Sequence, residues 1–413
     1  MKRYCFYFII MMLCMFMKGL VSCSFPSKTE YNLLHINLNK VEKRKYLNAS
    51  QVISKIEYVA LETASECLLG ETVSLSVSEN YILAFSNYRC LLFSREGKFI
   101  RSIGQRGNGP SDFQGGSFSV KIDEKSGMIY LMSLIEIAAY RISGEFFRKL
   151  KISEIAKTVN RSFLVQIKHW KENLFCSDVN IQSGKEPYRL IFFNLEGEIV
   201  KLVPNQTFFK NDEKCYYFEY GAKIFSFDDQ LFFKERPCDT LFKISEQFEL
   251  EPIIIFDYPG KLPVNTRYLC SQVNAIDVKI EKEVKNYLWL YVTDIENVLF
   301  NKKNHQLISF ERDPLLLRER TLPDGITKVS FPLLGLRNDI DGGLPLNPHY
   351  TSEIQSDNQI VSVYQSHLLK DLLTEEHFAR MDIKDLDAHK RLRAFLANLD
   401  WDDNPVLMIA TFK

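Results

Sequence analysis

A short apolar run recurs six times along the chain, and this repetition restricts the possible folds more than any other feature. Each copy begins with turn-like polar residues and continues with residues rich in Ile, Leu, Phe, Tyr and Val. The copies are ENYILAFS from 79, SGMIYLMS from 126, KENLFCSD from 171, DDQLFFKE from 228, KNYLWLYV from 285 and SDNQIVSVY from 356. Such runs are typical of short buried strands.

A strand, a polar turn and a second strand follow five of these copies. The segments are CLLFSREGKFIRSI from 90, AAYRISGEFFRKLKI from 138, LIFFNLEGEIVKLV from 190, LFKISEQFELEPIII from 241 and VLFNKKNHQLISF from 298. Gly97, Gly144 and Gly197 occupy the same turn position. The turn chemistry predicts hairpins, so each repeat unit holds about four strands.

Six four-stranded units that cannot bury both faces alone are expected to stack around an axis. The first five units contain no amphipathic helix of the kind a parallel α/β sheet needs. The 31 Phe and 19 Tyr residues also favour strands. The sequence therefore predicts an all-β fold: a six-bladed β-propeller of four-stranded antiparallel blades, spanning residues 54–413.

The sixth unit departs from the pattern. Residues 366–399 replace its hairpin with apolar residues at helical spacing, and NPVLMIATFK follows at the C-terminus. An unassigned strand, SKIEYVALET at 54–63, remains at the other end of the domain. Pairing these two strands would complete blade six and close the ring, which hides the edges that an open stack of blades would expose. The helical insertion could cap the funnel, present a partner surface or simply pack on the sheet.

Four segments carry a family resemblance: EYVALETASECLLGE from 57, LLFSREGKFIRSIGQRGNGPSDF from 91, DTLFKI from 239 and DDNPVLMI from 402. With them the chain resembles secreted bacterial six-bladed β-propeller lipoproteins of NHL- and TolB-like architecture. The resemblance implies the fold and export, and it leaves the activity open.

The glycine-rich stretch GQRGNGPSDF, residues 104–113, resembles a phosphate-binding loop in its glycine content. Such a loop needs a helix N-terminus directly after its glycines, so that aligned amides face the anion. Here Pro110 and polar residues follow, and then a strand. The stretch is therefore predicted to be a crossover between blades one and two.

The N-terminus indicates export and lipid attachment. Lys2 and Arg3 precede an apolar run from Tyr4 to Met17, which is typical of a signal peptide. Leu20-Val21-Ser22-Cys23 resembles the bacterial lipobox, and this resemblance implies cleavage before Cys23 and its lipidation. We expect a lipoprotein signal peptide at 1–22, a tether and N-terminal extension at 23–53, and a membrane-anchored protein in the cell envelope, on the periplasmic side or at the surface.

The composition and the residue spacing argue against several classes of partner and site. The 52 basic and 52 acidic residues balance, which argues against nucleic acid as a partner. The cysteines beyond Cys23 and the scattered histidines show no metal-ligand spacing, and no catalytic motif is present. Cys90 and Cys176 lie in apolar runs and are expected to be buried free thiols. No metal, cofactor or catalytic residue is expected.

The candidate binding residues lie where propeller loops meet on one face. Those chosen as ligand-binding are Arg106, Arg89, Arg236, Arg189, Asp178 and Asp294, within a rim that also holds Asn87, Glu235 and Glu296. Guanidinium groups can bind carboxylates, phosphates or sugar acids in a bidentate manner. Arg106, at the tip of the glycine-rich crossover, is the first choice.

Three functions follow from these patterns. The first is a lipid-anchored extracytoplasmic propeller that binds a polar small molecule, a glycan or a protein through its funnel face, without catalysis. The second is a propeller hydrolase or lyase that acts on an extracellular glycan or peptide. The third is a structural component of an envelope complex.

Overall fold

The computed structural model describes residues 33–70, 73–114, 119–181, 183–206, 208, 222–235, 238–258, 277–293, 295–311, 313–321, 328–348 and 352–413. Of these, 313–321, 328–332 and 352 are described by their backbone only. Three strands come first: β1 (Leu34–Asn37), β2 (Glu42–Arg44) and β3 (Ile53–Ala60), with single 3₁₀ turns at Leu38–Lys40 and Ala49–Gln51.

Blades one to three are each built from four consecutive antiparallel strands. Blade one contains β4 (Ser74–Val77), β5 (Tyr81–Ser86), β6 (Arg89–Ser94) and β7 (Phe99–Ser102). Blade two contains β8 (Ser119–Asp123), β9 (Met128–Met132), β10 (Glu136–Arg141) and β11 (Phe146–Lys151), followed by helix α1 (Ile152–Lys157). Blade three contains β12 (Val165–His169), β13 (Leu174–Asp178), β14 (Tyr188–Asn194) and β15 (Ile199–Pro204).

Blades four and five repeat this arrangement. Blade four contains β16 (Ala222–Phe227), β17 (Gln230–Glu235), β18 (Thr240–Ile244) and β19 (Leu250–Asp257). Blade five contains β20 (Val278–Val284), β21 (Tyr287–Val292), β22 (Glu296–Asn301) and β23 (Leu307–Phe310). A separate hairpin follows, formed by β24 (Asp313–Thr321) and β25 (Lys328–Leu333).

The C-terminal part contains the remaining strands and a helical insertion. Its elements are β26 (Ser352–Ile354), β27 (Gln359–Tyr364), α2 (Ser366–Leu372), α3 (Glu375–Ala379), α4 (Leu386–Ala397) and β28 (Val406–Phe412). The three helices lie between β27 and β28, as the helical spacing of this segment predicted. They pack on the end of blade six through Leu369, Phe378 and Leu392.

The N-terminal strand closes the ring. β28 lies between β27 and β3 and pairs antiparallel with both, and Val406 lies opposite Ala60. The all-β six-bladed propeller, closed by an N-terminal strand, is therefore confirmed. Each blade interface holds one apolar cluster of the described core, including one between blades six and one.

Three details differ from a ring of uniform four-stranded blades. β1 and β2 add parallel fifth strands to the outer edges of blades four and five, so residues ahead of position 54 take part in the propeller. β26 pairs in parallel with β4 of blade one, which leaves blade six with three strands. With only three residues, β26 carries no apolar pattern that could have predicted its partner.

The turn between the third and fourth strands depends on glycine in the first three blades. Gly97, Gly144 and Gly197 all have a φ of +89°, a conformation that favours glycine. At Gly97 a Cβ atom would lie 2.1 Å from the Ala60 carbonyl oxygen. The repeated glycine is therefore required by backbone conformation, and in blade one also by close contact with blade six.

Candidate functional site

Four lysines line the axis of the propeller. Lys121 lies on β8, Lys168 on β12, Lys223 on β16 and Lys282 on β20. These strands form the inner edges of blades two to five. Lys121, Lys168 and Lys223 are half-buried between buried neighbours on their strands, and because side chains alternate between the two faces of a strand, this pattern turns them towards the axis. Lys282 is also half-buried, and its charge acts on Glu353, Lys121 and Lys168.

One carboxylate joins two of these lysines across the axis. Glu353, on β26, places its Oε1 atom 2.5 Å from Lys168 Nζ and its Oε2 atom 3.5 Å from Lys121 Nζ. The three side chains are 20%, 25% and 15% exposed, respectively. The charges are therefore largely removed from water but still reachable by it. Lys121, Lys168, Lys223, Lys282 and Glu353 are called the axial cluster below.

Burial and mutual repulsion shift the pKa values in this cluster. Burial alone would raise the pKa of Glu353, but the ammonium groups of Lys168 and Lys121 outweigh it and lower that pKa to about 2. Burial is the main cause that lowers the pKa of Lys282 to about 8; Lys121 and Lys168 add to this effect, and Glu353 opposes it. Burial likewise lowers the pKa of Lys223 to about 8.

Lys223 and Lys282 differ in their partners. The Lys223 ammonium donates to the backbone carbonyls of Ile280 and Glu281, the latter at 3.0 Å. Lys282 follows an irregularity in the pairing of β20 with β21, between Ile280 and Lys282. Within the described part of the chain, no acceptor lies within hydrogen-bonding or ion-pairing distance of its Nζ atom. Lys282 is thus the amine of the cluster whose donors are uncommitted there.

Hydrogen bonds and an ion pair connect turns from several blades at one end of the axis. The Asp228 amide donates to Asp357 Oδ1 at 3.0 Å, and Lys125 forms an ion pair with Asp229 at 3.1 Å. The amide of Lys285 donates to the Asp357 carbonyl oxygen at 2.8 Å. Asp357 lies between β26 and β27, and the other residues join the first and second strands of their blades. This end of the axis is called the turn face, and the opposite end, which holds the blade crossovers, is called the crossover face.

The glycine-rich stretch is a blade crossover, between β7 and β8. Its amides are used internally, because Gly109 N donates to Asp112 Oδ2 at 2.8 Å and Phe113 N donates to the Gln105 carbonyl at 2.9 Å. Tyr140 Oη donates to the Ser111 carbonyl at 2.8 Å. Since these amides are already bonded within the loop, the geometry does not offer a phosphate cradle.

Two of the sequence-predicted arginines belong to blade one and its crossover. Arg106 is exposed, and its guanidinium carbon lies 3.9 Å from the centre of the Tyr88 ring. Arg89 begins β6 and donates to the backbone carbonyls of Glu66 and Leu68, the latter at 3.5 Å. Arg106 is thus presented to solvent on an aromatic surface, whereas Arg89 ties down the preceding loop.

Two other predicted residues lie inside the protein. Arg189, 5% exposed, forms ion pairs with Asp178 on β13 and with Glu235 on β17, the latter at 2.7 Å. Its guanidinium also lies over the Phe233 ring. Burial raises the pKa of Asp178 to about 6, although Arg189 opposes the rise. This cluster joins blades three and four and is separate from the Arg106 region of blade one.

The other predicted site residues, Cys23, Arg236 and Asp294, lie outside the described residues. In the described part, Cys90 and Cys176 are buried free thiols, as expected. No group of three or more His, Cys, Asp or Glu side chains there could hold a metal ion. None of the helices described is long and apolar enough to cross a membrane.

The axial cluster was not predicted from the sequence. For three of the lysines the signal is a lysine next to aliphatic residues in the first strand of successive blades: VKID at 120, QIKH at 166 and AKIF at 222. Lys282 has no such signal, because it lies between Glu281 and Glu283 in VKIEKEV at 278. The second strands of the blades are more apolar and therefore carry the clearer repeat. Glu353 has no such signal, because it comes from β26.

The fold and the axial cluster define a six-bladed β-propeller with lysines on the inner strands of four blades. The chain belongs to the family described as Domain of unknown function (DUF4934), whose model matches residues 33–411. No curated protein sequence matches the chain.

Two solved structures can be compared with this fold. The structure of a Bacteroides fragilis protein described as exported has a TM-score of 0.61 and 14% identity, covering 92% of this chain and 99% of that one. A Bacteroides vulgatus member of the DUF4221 family has a TM-score of 0.47 and 11% identity, covering 89% of this chain and 98% of that one. At these identities the first structure is informative about the fold alone.

Proposed function

We propose that this protein is a lipid-anchored extracytoplasmic propeller that binds a small anionic ligand at its axis. The observation that carries the proposal is the excess of positive charge at the inner strands, where the four lysines of the axial cluster outnumber the carboxylates that act on Lys223 and Lys282, namely Glu353, Asp357 and Glu281. Glu353 is already engaged by Lys121 and Lys168, whereas Lys282 keeps its donors uncommitted among the described residues. Like charges in a poorly solvated site repel one another, and an anion would relieve that repulsion.

A carboxylate or phosphate group fits this site by charge and by hydrogen bonding. Lysine ammonium groups offer rotatable donors, and hydrogen bonds between ionised partners are shorter and stronger than neutral ones. The contacts across the turn face, such as Lys125 with Asp229, favour entry from the crossover face. Arg106 is proposed as an outer contact on that face, because it is exposed beside Tyr88.

Export and lipid attachment rest on the N-terminal sequence. The basic residues, the apolar run and the lipobox-like Leu20-Val21-Ser22-Cys23 support secretion and lipidation of Cys23. The Bacteroides fragilis protein described as exported is in accord with this location. The proposed protein would therefore meet its ligand in the cell envelope.

Thermal unfolding and calorimetric titration with phosphate, sulfate, oxalate and glucuronate test the binding proposal. At least one anion is expected to raise the melting temperature of the parent and to bind more weakly to Lys282→Gln. Loss of a hydrogen bond to a charged group costs about 1.5–3 kcal/mol, which corresponds to a roughly 10- to 100-fold weaker affinity.

Lys285→Gln is the matched control, because Lys285 lies on the exposed turn that follows β20. It removes the same charge three positions along and should bind like the parent. Equal affinities of the parent and Lys282→Gln, or no binding of any of the four anions, would contradict the proposal.

A further inference from the structure

The chemistry available to Lys282 goes beyond charge. Lys282 lies on β20, the inner strand of blade five, and its charge acts on Lys121 and Lys168, which Glu353 holds in place. Lys223, by contrast, is tied to two backbone carbonyls. Lys282 is therefore the amine that can approach a bound molecule without first breaking a contact with the described residues.

We propose that Lys282 captures the carbonyl group of a small 2-oxo carboxylate as an imine, while the neighbouring ammonium groups hold the carboxylate. The inference rests on the proposed function, because the anion site brings the carbonyl carbon to the amine. A desolvated lysine beside another cationic group is a known way to obtain a nucleophilic amine near neutral pH.

The protonation state of Lys282 suits this reaction. Burial, with Lys121 and Lys168, lowers its pKa to about 8, so a substantial fraction of the amine is neutral near pH 7.5. An ordinary exposed lysine has a pKa of about 10.4, so its neutral fraction at that pH is roughly 100-fold smaller. Lys282 should therefore react ahead of the surface lysines.

The reaction balances without any redox partner. The neutral amine adds to the carbonyl carbon and forms a carbinolamine. The carbonyl oxygen then leaves as water with the two amine hydrogens, and a C=N bond replaces the C=O bond. The imine nitrogen can take up a proton from solvent, and water reverses the sequence and releases the 2-oxo carboxylate.

Reductive trapping tests the assignment directly. The protein is incubated at pH 7.5 with glyoxylate and cyanoborohydride, which converts an imine into a stable carboxymethyl-lysine, and the position of the label is found by peptide mapping. The expected result is one carboxymethyl group on Lys282, formed roughly 10- to 100-fold faster than on exposed lysines. Lys282→Arg should lose this label, whereas Lys285→Arg should keep it.

An oxalate titration of the same protein separates this inference from the proposed function. Oxalate carries carboxylates but no reactive carbonyl, so it should bind and slow the labelling of Lys282. Oxalate binding without preferential labelling of Lys282 would overturn the imine and leave the anion site standing. Labelling of Lys282 that oxalate neither slows nor competes with would support the imine and contradict the anion site. The absence of both binding and labelling would overturn both.

Discussion

Replacing Lys282 by methionine should make the protein more stable at neutral pH and alter how its stability depends on pH. Methionine has a similar length but no charge, so the variant removes a poorly solvated ammonium group from the axial cluster. The parent lysine has its pKa lowered from 10.5 to about 8, with burial as the largest cause. A group whose pKa is lower in the folded than in the unfolded state binds fewer protons when folded.

The magnitude follows from that shift. Well below pH 8 the lysine is charged in both states and its full penalty is present, about 3 kcal/mol at about 1.4 kcal/mol per pKa unit. Between the folded and unfolded pKa values the folded protein releases its proton first, so stability rises with pH, and roughly 1 kcal/mol of the penalty is relieved between pH 7 and pH 9. Lys223 shifts in the same direction, so Lys282→Met should lose only part of the pH slope.

Urea unfolding of the parent and of Lys282→Met at several pH values between 7 and 9 measures this effect. The difference in unfolding free energy between the two proteins is the quantity of interest, because most other titrations, such as those of the buried cysteines, cancel in it. Methionine should confer its largest advantage at pH 7, and the advantage should shrink by about 1 kcal/mol at pH 9. Lys285→Met is the control, because it removes the same charge from an exposed turn, and it should change the unfolding free energy by no more than about 0.5 kcal/mol. A pH-independent difference for Lys282→Met would refute the reasoning.

Three further predictions concern the fold and its attachment. Removing residues 404–413 should abolish cooperative unfolding, because it takes out the middle strand of blade six and opens the ring; a truncated protein that melts like the parent would contradict ring closure. Gly104→Ala should be about 1–3 kcal/mol less stable than the parent and clearly less stable than Gly127→Ala. Both glycines have a positive φ, but only at Gly104 would a Cβ atom approach Tyr140, 2.5 Å from its hydroxyl oxygen. Equal melting temperatures of the two variants would show that this crowding is unimportant. Cys23→Ala should abolish labelling with a palmitate analogue and release the protein from membranes, and unchanged labelling would remove the basis for a lipid anchor.

Much of the fold follows from the local pattern of the sequence. Buried middle strands such as β9, MIYLM, are apolar throughout, and the turn glycines mark the hairpins. Ring closure was also predictable, because a missing strand in blade six matched an unassigned strand at 54–63. Each of these features depends on neighbouring residues or on a count of units.

The pairing of β26 and the axial cluster could not be predicted in this way. β26 is too short to show a pattern, and its parallel partner β4 lies far away in sequence. The cluster depends on that pairing, since Glu353 reaches Lys121 and Lys168 only across the axis. Charges spread over four blades and one short strand are unconnected in sequence until the ring brings them together.

The burial of Arg189 and Asp178 could not be predicted from the sequence for a related reason. Both lie at the ends of strands near a loop, where exposure is the usual outcome for charged residues. Their mutual ion pair, with Glu235 as a second partner from the next blade, allows them to be buried. A cross-blade partner of this kind is visible only in three dimensions.

The location of a bound anion tests the central claim most directly. Selenate carries an anomalous scatterer on a sulfate-like anion, so crystals of the protein grown with selenate would reveal the anion's position whatever the natural ligand is. We expect a selenium peak on the propeller axis, within hydrogen-bonding distance of Lys282 Nζ and close to Lys121 and Lys168, and no such peak in crystals of Lys282→Gln. Selenate found only at surface lysines and arginines, with the axial cluster empty, would contradict it.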